Sequence, residues 1–301
     1  MRFAVLAFAI VLTMSACGEN PATSGAGGKG GASGSGGKVG TGGTTRTPAS
    51  GDCADTSAVT YTINQQYGNG IIKLDNNSNK NYFFQSNWWN NVPPNKYANE
   101  TETINGLGFT LGNPNNTSSS DNNPLGFPSI FIGSYQGNTS KGSNLPKQVT
   151  ALTSVPTIFR INTSGLDTSN FNATYDVWLT QTNALVTGNS PGPGGAYLMV
   201  WLYKPSKRQP RGQIALDGHS VDGVDGSWSV WFDNTNPPCV SYVSASPLSE
   251  LSFDLNDFIQ DAVANQWGVT PTQYLSIIFA GTEVWGGADG FQIKQFCANV
   301  Q

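Results

Sequence analysis

The sequence predicts an all-β domain, a sandwich of two sheets with one amphipathic helix laid against it. Three observations predict this. Charged residues make up 11% of the 301 residues, aromatic residues another 11%, and there are 36 glycines; few long charged side chains, many rings and frequent turn formers belong to short strands joined by tight turns. About a dozen short runs of apolar and alternating character follow one another, separated by Gly, Pro, Asn and Asp. A single stretch, residues 254–268, instead carries apolar residues at helical spacing.

The chain opens with an export signal. Met1-Arg-Phe carries one positive charge, Ala4 to Thr13 is apolar and too short to span a bilayer, and Met14-Ser-Ala-Cys17 ends the run with small residues before a cysteine. Residues 1–17 resemble a bacterial lipoprotein signal, which implies that Cys17 becomes the lipidated first residue and that the mature protein sits in the cell envelope or on the cell surface. An ordinary secretory signal is the alternative, and both readings take the mature protein out of the cytoplasm. Residues 18–51 are a Gly/Ser/Thr stretch with almost nothing to bury, expected to act as a flexible tether with a reach of about 30–35 Å. Residues 52–301 remain for one domain with one core.

A net charge of −4 argues against nucleic acid as a partner, because that needs a basic footprint. No Cys/His cluster has zinc-site spacing, so no metal and no cofactor are expected. The lone His219 lies in a Gly/Asp-rich stretch and reads as a solvated loop residue. With Cys17 assigned to lipid, Cys53, Cys239 and Cys297 remain, and three thiols leave one unpaired. A Cys53–Cys297 bridge would tie the domain's ends together and contribute on the order of 4–5 kcal/mol in the chain-entropy model; Cys239 as partner of either is the rival.

The strand candidates are Val59 to Ile63, Gly70 to Leu74, Tyr82 to Trp88, Ile104 to Leu111, Ser129 to Tyr135, Ile158 to Ile161, Ala173 to Thr180, Tyr197 to Tyr203, Ser227 to Phe232, Val240 to Ser244, Leu275 to Ala280 and Phe291 to Cys297. In the helical segment, apolar residues fall at 255, 258, 259, 262 and 263, Asp254 or Ser252 can cap the start, and Gly268 can end it.

The most telling strand is Gly195-Ala-Tyr-Leu-Met-Val-Trp-Leu202. Side chains alternate between faces of a strand, so Leu198, Val200 and Leu202 make an aliphatic face while Tyr197, Met199 and Trp201 share the other. Two rings and a thioether there suit a floor that grips a flat, neutral ligand such as a sugar ring. Two acids stand near such surfaces. Glu283 follows a strand in the glycine-flanked Gly281-Thr-Glu-Val-Trp-Gly-Gly287, with Trp285 two residues on; an aromatic wall would hold it protonated as an acid. Asp176, in Thr174-Tyr-Asp-Val-Trp-Leu179, shares a strand face with Trp178. Their structural alternatives are a surface Glu at a strand end and an Asp bonded to a neighbouring Tyr or Ser hydroxyl.

Read in order, Gln85-Ser-Asn-Trp-Trp-Asn90, Gly126-Phe-Pro-Ser-Ile-Phe-Ile-Gly133, Tyr175-Asp-Val-Trp-Leu179, Tyr197-Leu-Met-Val-Trp-Leu202, Pro210-Arg-Gly212, Trp228-Ser-Val-Trp231, Val240-Ser-Tyr-Val243, the helix and Gly281 to Gly287 resemble glycoside hydrolase family 12 across nearly all of residues 53–301. The resemblance implies a concanavalin-like β-jelly roll whose concave sheet forms an open cleft for β-1,4-glucans such as cellulose, mixed-linkage glucan or xyloglucan, and a retaining mechanism with two glutamates. It implies that Glu283 is the acid/base and that Asp176 is the carboxylate beside the nucleophile. Asn87 and Trp89 match an Asn-x-Trp sugar-binding motif, Met199 and Trp201 match the cleft floor, and Trp178 and Trp285 line it. At the position of the family's nucleophilic Glu this chain has Tyr197. A phenol with a reference pKa near 10 is a weak nucleophile at neutral pH. Three outcomes follow: Tyr197 attacks with Asp176 as its base, Asp176 activates a water in an inverting reaction, or the domain is an inactive, tethered glucan-binding protein. A monomer is expected. A structural or adhesion lipoprotein is the remaining, unrelated reading.

Overall fold

The computed structural model describes residues 60–64, 70–75, 80–88, 101–112 and 123–301. Seventeen strands appear among them in chain order: β1 Thr60–Asn64, β2 Ile71–Asp75, β3 Asn81–Gln85, β4 Thr101–Asn105, β5 Gly108–Gly112, β6 Ser129–Tyr135, β7 Asn138–Thr139, β8 Lys147–Gln148, β9 Pro156–Asn162, β10 Ala173–Thr180, β11 Ala196–Tyr203, β12 Gln213–His219, β13 Trp228–Asp233, β14 Cys239–Ser244, β15 Glu250–Asp254, β16 Tyr274–Gly281 and β17 Gln292–Ala298. They form the expected two-sheet jelly-roll sandwich. The smaller sheet has the order β1-β4-β5-β17-β9-β15, and the larger runs β12-β13-β14-β11-β10-β16-β6-β3-β2, with β7 on β6 and β8 on β16. Most neighbours are antiparallel; β11 and β14 run parallel.

The main core lies between the sheets and takes residues from both, among them Ile104, Phe109, Phe159 and Phe296 from the smaller and Ile130, Tyr175, Val177, Leu198 and Val200 from the larger. The other face of the larger sheet, called the outer face below, carries a second buried cluster that includes Phe83, Phe131, Trp178, Tyr197, Met199, Trp201, Trp231, Phe279 and Trp285. Strand β11 is therefore buried on both sides, and its two faces divide as the alternation of its side chains predicts.

The single helix, α1 Leu255–Ala264, buries Leu255, Phe258, Ile259 and Ala262. Asp254 caps it: its Oδ1 accepts the N–H of Asn256 at 3.0 Å and also that of Val155 at 2.6 Å, stitching the helix start to the loop before β9. Helical structure ends at Asn265, before the expected Gly268, because Gln266 already adopts the left-handed backbone (φ 58°) that stops a helix.

Four other expectations are corrected. Ile104 to Leu111 is the hairpin of β4 and β5, because Gly106 turns the chain at φ 58°. The extra strands β12 and β15 pair with β13 and β9; all but the last residue of β12 are exposed, so no buried face marks it in the sequence. His219 is not a solvated loop residue: it ends β12, and its Nε2 lies 3.0 Å from each oxygen of Asp261 on α1, which also accepts the Tyr242 hydroxyl at 2.8 Å. Finally, Cys239 and Cys297 are both disulfide-bonded, so the expected odd thiol is neither of these. The proposed partner Cys53, and Cys17, lie outside the described residues.

Asp254→Ala removes an acceptor shared by two backbone N–H groups. A loss of roughly 1–3 kcal/mol is expected, read as a lower urea midpoint with an unchanged slope.

Candidate active site on the outer face

The site is built by register. Across β10 and β11, Asp176 stands opposite Met199, Trp178 opposite Tyr197, and Thr174 opposite Trp201. Across β10 and β16, Asp176 meets Phe279 and Thr174 meets Gly281. Glu283 follows two residues beyond Gly281, at the Trp201 end of this array. Trp285 completes that end, its ring centroid 6.4 Å from that of Trp201. Asp176, Trp178, Tyr197, Met199, Trp201, Glu283 and Trp285 are therefore brought together on one face.

Glu283 is fully buried, so it is not a surface residue at a strand end. Its Oε2 accepts the Asn172 side-chain N–H at 2.6 Å, its own backbone N–H donates to Asn172 Oδ1 at 2.7 Å, and its carbonyl accepts the Asn172 backbone N–H at 3.1 Å. Thr282 Oγ1 donates to the Asn172 carbonyl at 2.6 Å. One asparagine thus fixes both the backbone and the carboxyl of Glu283. Asn172 was not foreseen from sequence, and no periodicity or motif marks it.

Asp176 is also buried. Its Oδ2 accepts the Trp178 indole N–H at 3.0 Å, while Oδ1 has no hydrogen-bond partner. Its partner is an indole, where a Tyr or Ser hydroxyl was the alternative. Burial pushes its carboxyl up to about 7, with the Trp178 hydrogen bond and the charge of Arg211 pulling the other way.

Tyr197 packs edge-on against Trp178, centroids 5.7 Å apart, and the Arg211 guanidinium carbon lies 6.0 Å from its ring centroid. Arg211 is held by an ion pair with Asp233 and by Nη2 donating at 2.9 Å to both Thr235 Oγ1 and the Pro237 carbonyl. Burial and the neighbouring Asp176 raise the Tyr197 phenol well above its usual range, against smaller opposite effects from Arg211 and a Ser190 hydrogen bond. The phenol is protonated at neutral pH.

Tyr197, Met199, Trp201, Trp178 and Trp285 are at most 4% exposed; they belong to one packed cluster, with the Arg211 guanidinium over the Tyr197 ring and that of Arg208 5.8 Å from the Trp285 ring centroid. Asn87 is placed near by a backbone weave: Phe127 donates to its carbonyl at 2.9 Å, and Val284 donates to the carbonyl of Gly126 at 3.1 Å. Asn87 adopts φ 46°, and its Oδ1 is buried without a hydrogen-bond partner. Trp89 lies outside the described residues. Among the described residues no group of three or more His, Cys, Asp or Glu is arranged to hold a metal ion.

Fold and site define a class: jelly-roll sandwiches whose larger sheet carries carboxyl groups in an aromatic patch on its outer face. The family model described as Glycosyl hydrolase family 12 matches residues 80–301, and the chain belongs to that family. It is 29% identical over 163 residues to a probable cellulase, Cel12b, of Mycobacterium tuberculosis, a match spanning 53% of this chain and 99% of the relative. It is 30% identical over 154 residues to a probable xyloglucan-specific endo-beta-1,4-glucanase A of Aspergillus terreus, spanning 48% of this chain and 54% of the relative. Among solved structures, endoglucanase cel12A from Rhodothermus marinus superimposes with a TM-score of 0.66 at 25% identity, covering 81% of this chain and 99% of that one. A metagenome-derived family 12 endoglucanase gives 0.68 at 25% identity, covering 81% and 99%.

A carboxyl whose pKa is raised on folding, from 3.8 to about 7 for Asp176, contributes stability that is full below the lower value and is lost as pH rises through the upper one. The unfolding free energy from urea titration is therefore expected to fall between about pH 4 and pH 7, by on the order of 1–4 kcal/mol for this group. Asp176→Asn should flatten that part of the profile.

Proposed function

We propose that the protein is an exported, lipid-anchored glycoside hydrolase acting on β-1,4-glucans at the outer face of its larger sheet. Family membership supports the reaction class, and the named activities of the relatives, cellulase and xyloglucan-specific endo-β-1,4-glucanase, support the substrate. The observation that carries the reading is the Glu283 clamp. Burying a carboxyl is costly, and a surface that only binds neutral sugars has no need of one locked in a single orientation by Asn172.

In this reading Glu283 donates a proton to the oxygen that leaves the scissile bond. Asp176 is the base, its unpartnered Oδ1 accepting a proton either from a water that attacks the anomeric carbon or from Tyr197 as the phenol oxygen attacks it. The first route inverts the anomeric configuration; the second forms a glycosyl-tyrosine that water then cleaves, retaining it. A second reading, an inactive glucan-binding protein, is favoured by one observation: a protonated phenol stands where the family motif has its nucleophilic glutamate. The N-terminal pattern supports export and anchoring through Cys17.

The test is reducing-sugar release from mixed-linkage β-glucan and xyloglucan. The wild-type protein is expected to be active, Glu283→Gln to lose about 100-fold or more in kcat, and the rate to rise with pH through about 7 as Asp176 ionises. The product anomer seen by NMR separates the two routes. A wild type that binds glucan but releases no sugar, with activity appearing in Tyr197→Glu, selects the binding protein instead. For the anchor, Cys17→Ala is expected to move the protein from the membrane fraction to the soluble one.

A further inference from the structure

Behind the site, in the main core, lies a carboxyl that the proposed chemistry does not use. Glu102, on β4 of the smaller sheet, is fully buried. Its Oε1 accepts the indole N–H of Trp88 at 2.7 Å. A buried acid in a sheet of aliphatic neighbours is costly, and what it holds is the inner side of the site's rim.

That rim is a chain of single β-bridges, Trp88 to Gly126, Gly126 to Val284 and Val284 to Phe171. Trp88, Val284 and Phe171 all point into the main core. Glu283 and Asn172, next to Val284 and Phe171, point the other way by strand alternation, and Asn87 immediately precedes Trp88, its carbonyl accepting the Phe127 N–H at 2.9 Å. The fit along the rim is tight: a β-carbon at Gly126 would fall 2.3 Å from Trp88 Cε3. A displacement of the Trp88 ring is thus passed to Gly126 and, through the hydrogen bonds of Val284 N–H to the Gly126 carbonyl (3.1 Å) and of Leu125 N–H to the Val284 carbonyl (2.6 Å), to the turn that bears Glu283.

We propose that Glu102 is a positioning residue: by holding the Trp88 indole from inside the sandwich, it sets the backbone that presents Asn87 and Glu283 on the outer face. The inference rests on the reading of that face as the glucan site. Burial pushes the Glu102 carboxyl up to about 7, with the Trp88 hydrogen bond acting the other way, so the group is held there at an electrostatic cost that packing alone does not explain.

The experiment uses the full chain, labelled with 15N, with three variants: Glu102→Gln, which keeps an acceptor for the indole; Glu102→Leu, which removes it; and the double variant Glu102→Leu with Trp88→Phe, which removes both partners and leaves no unsatisfied polar group. Two quantities are read, the backbone amide shifts of Asn87, Gly126, Glu283 and Val284, and the affinity for cellohexaose. Glu102→Gln is expected to bind within about threefold of wild type, while Glu102→Leu and the double variant lose roughly tenfold or more, with amide shifts concentrated at those four residues. Should Glu102→Leu fail to fold, the double and the Gln variants decide by the same criteria. Wild-type affinity and unshifted amides in the double variant would overturn the proposal, as would a Gln variant that loses as much as the double. If the wild type itself binds no cellohexaose, the glucan reading fails, and the amide shifts alone still decide whether Glu102 positions the rim.

Discussion

The register between β10 and β11 is the constraint on which the rest of the site depends. With Asp176 opposite Met199 and Trp178 opposite Tyr197, every candidate site residue of these strands falls on the outer face and every aliphatic one on the core face. A slip of one residue would exchange the two sets. It would drive Asp176 into the layer of Tyr175, Val177, Leu198 and Val200, where no hydrogen-bonding partner of its present kind waits. Burial on both faces of β11 makes that slip expensive, so the hydrophobic core and the chemical site are specified by the same pairing.

Within that frame the acids are held in different ways. Glu283 is tied to Asn172 through side chain and backbone together, Asp176 leans on the Trp178 indole, and Glu102 on the Trp88 indole. An indole N–H is a neutral donor, so it orients a carboxylate without the full compensation that an arginine would give. Burial raises the proton affinity of both Asp176 and Glu102, and the indole hydrogen bonds offset it only in part. Arg211 stands close enough to act on Asp176 and Tyr197, yet its guanidinium is engaged by Asp233, Thr235 and the Pro237 carbonyl. Its effect on the pair is therefore a fixed field and a cover over the Tyr197 ring.

The sandwich, the helix and the two faces of β11 were legible because each is a local pattern: alternation along a strand, 3.6-residue spacing, a capping Asp. Glu283 and Asp176 were legible as acids among aromatic residues at strand ends and in strand interiors. The pairing of Asn172 with Glu283 spans 111 residues of sequence, and nothing near Asn172 announces it. Strand β12 left no trace because it lies almost wholly exposed at the sheet's edge, and His219 was misread because its partner Asp261 belongs to a helix more than forty residues away.

The sequence by itself determined the class of fold, the order of its motifs and which face of each strand is aromatic. These follow from residue type and short-range periodicity, which a chain carries before it folds. Tertiary structure alone decided that Arg211 and Arg208 stand near the Tyr197 and Trp285 rings, that Asn172 locks Glu283, and that Glu102 accepts the Trp88 indole N–H from the opposite sheet. The reason is physical: each depends on which strands become neighbours and in what register, and that is settled by burying the two apolar faces of the larger sheet at once, a property of the whole chain that no local segment encodes.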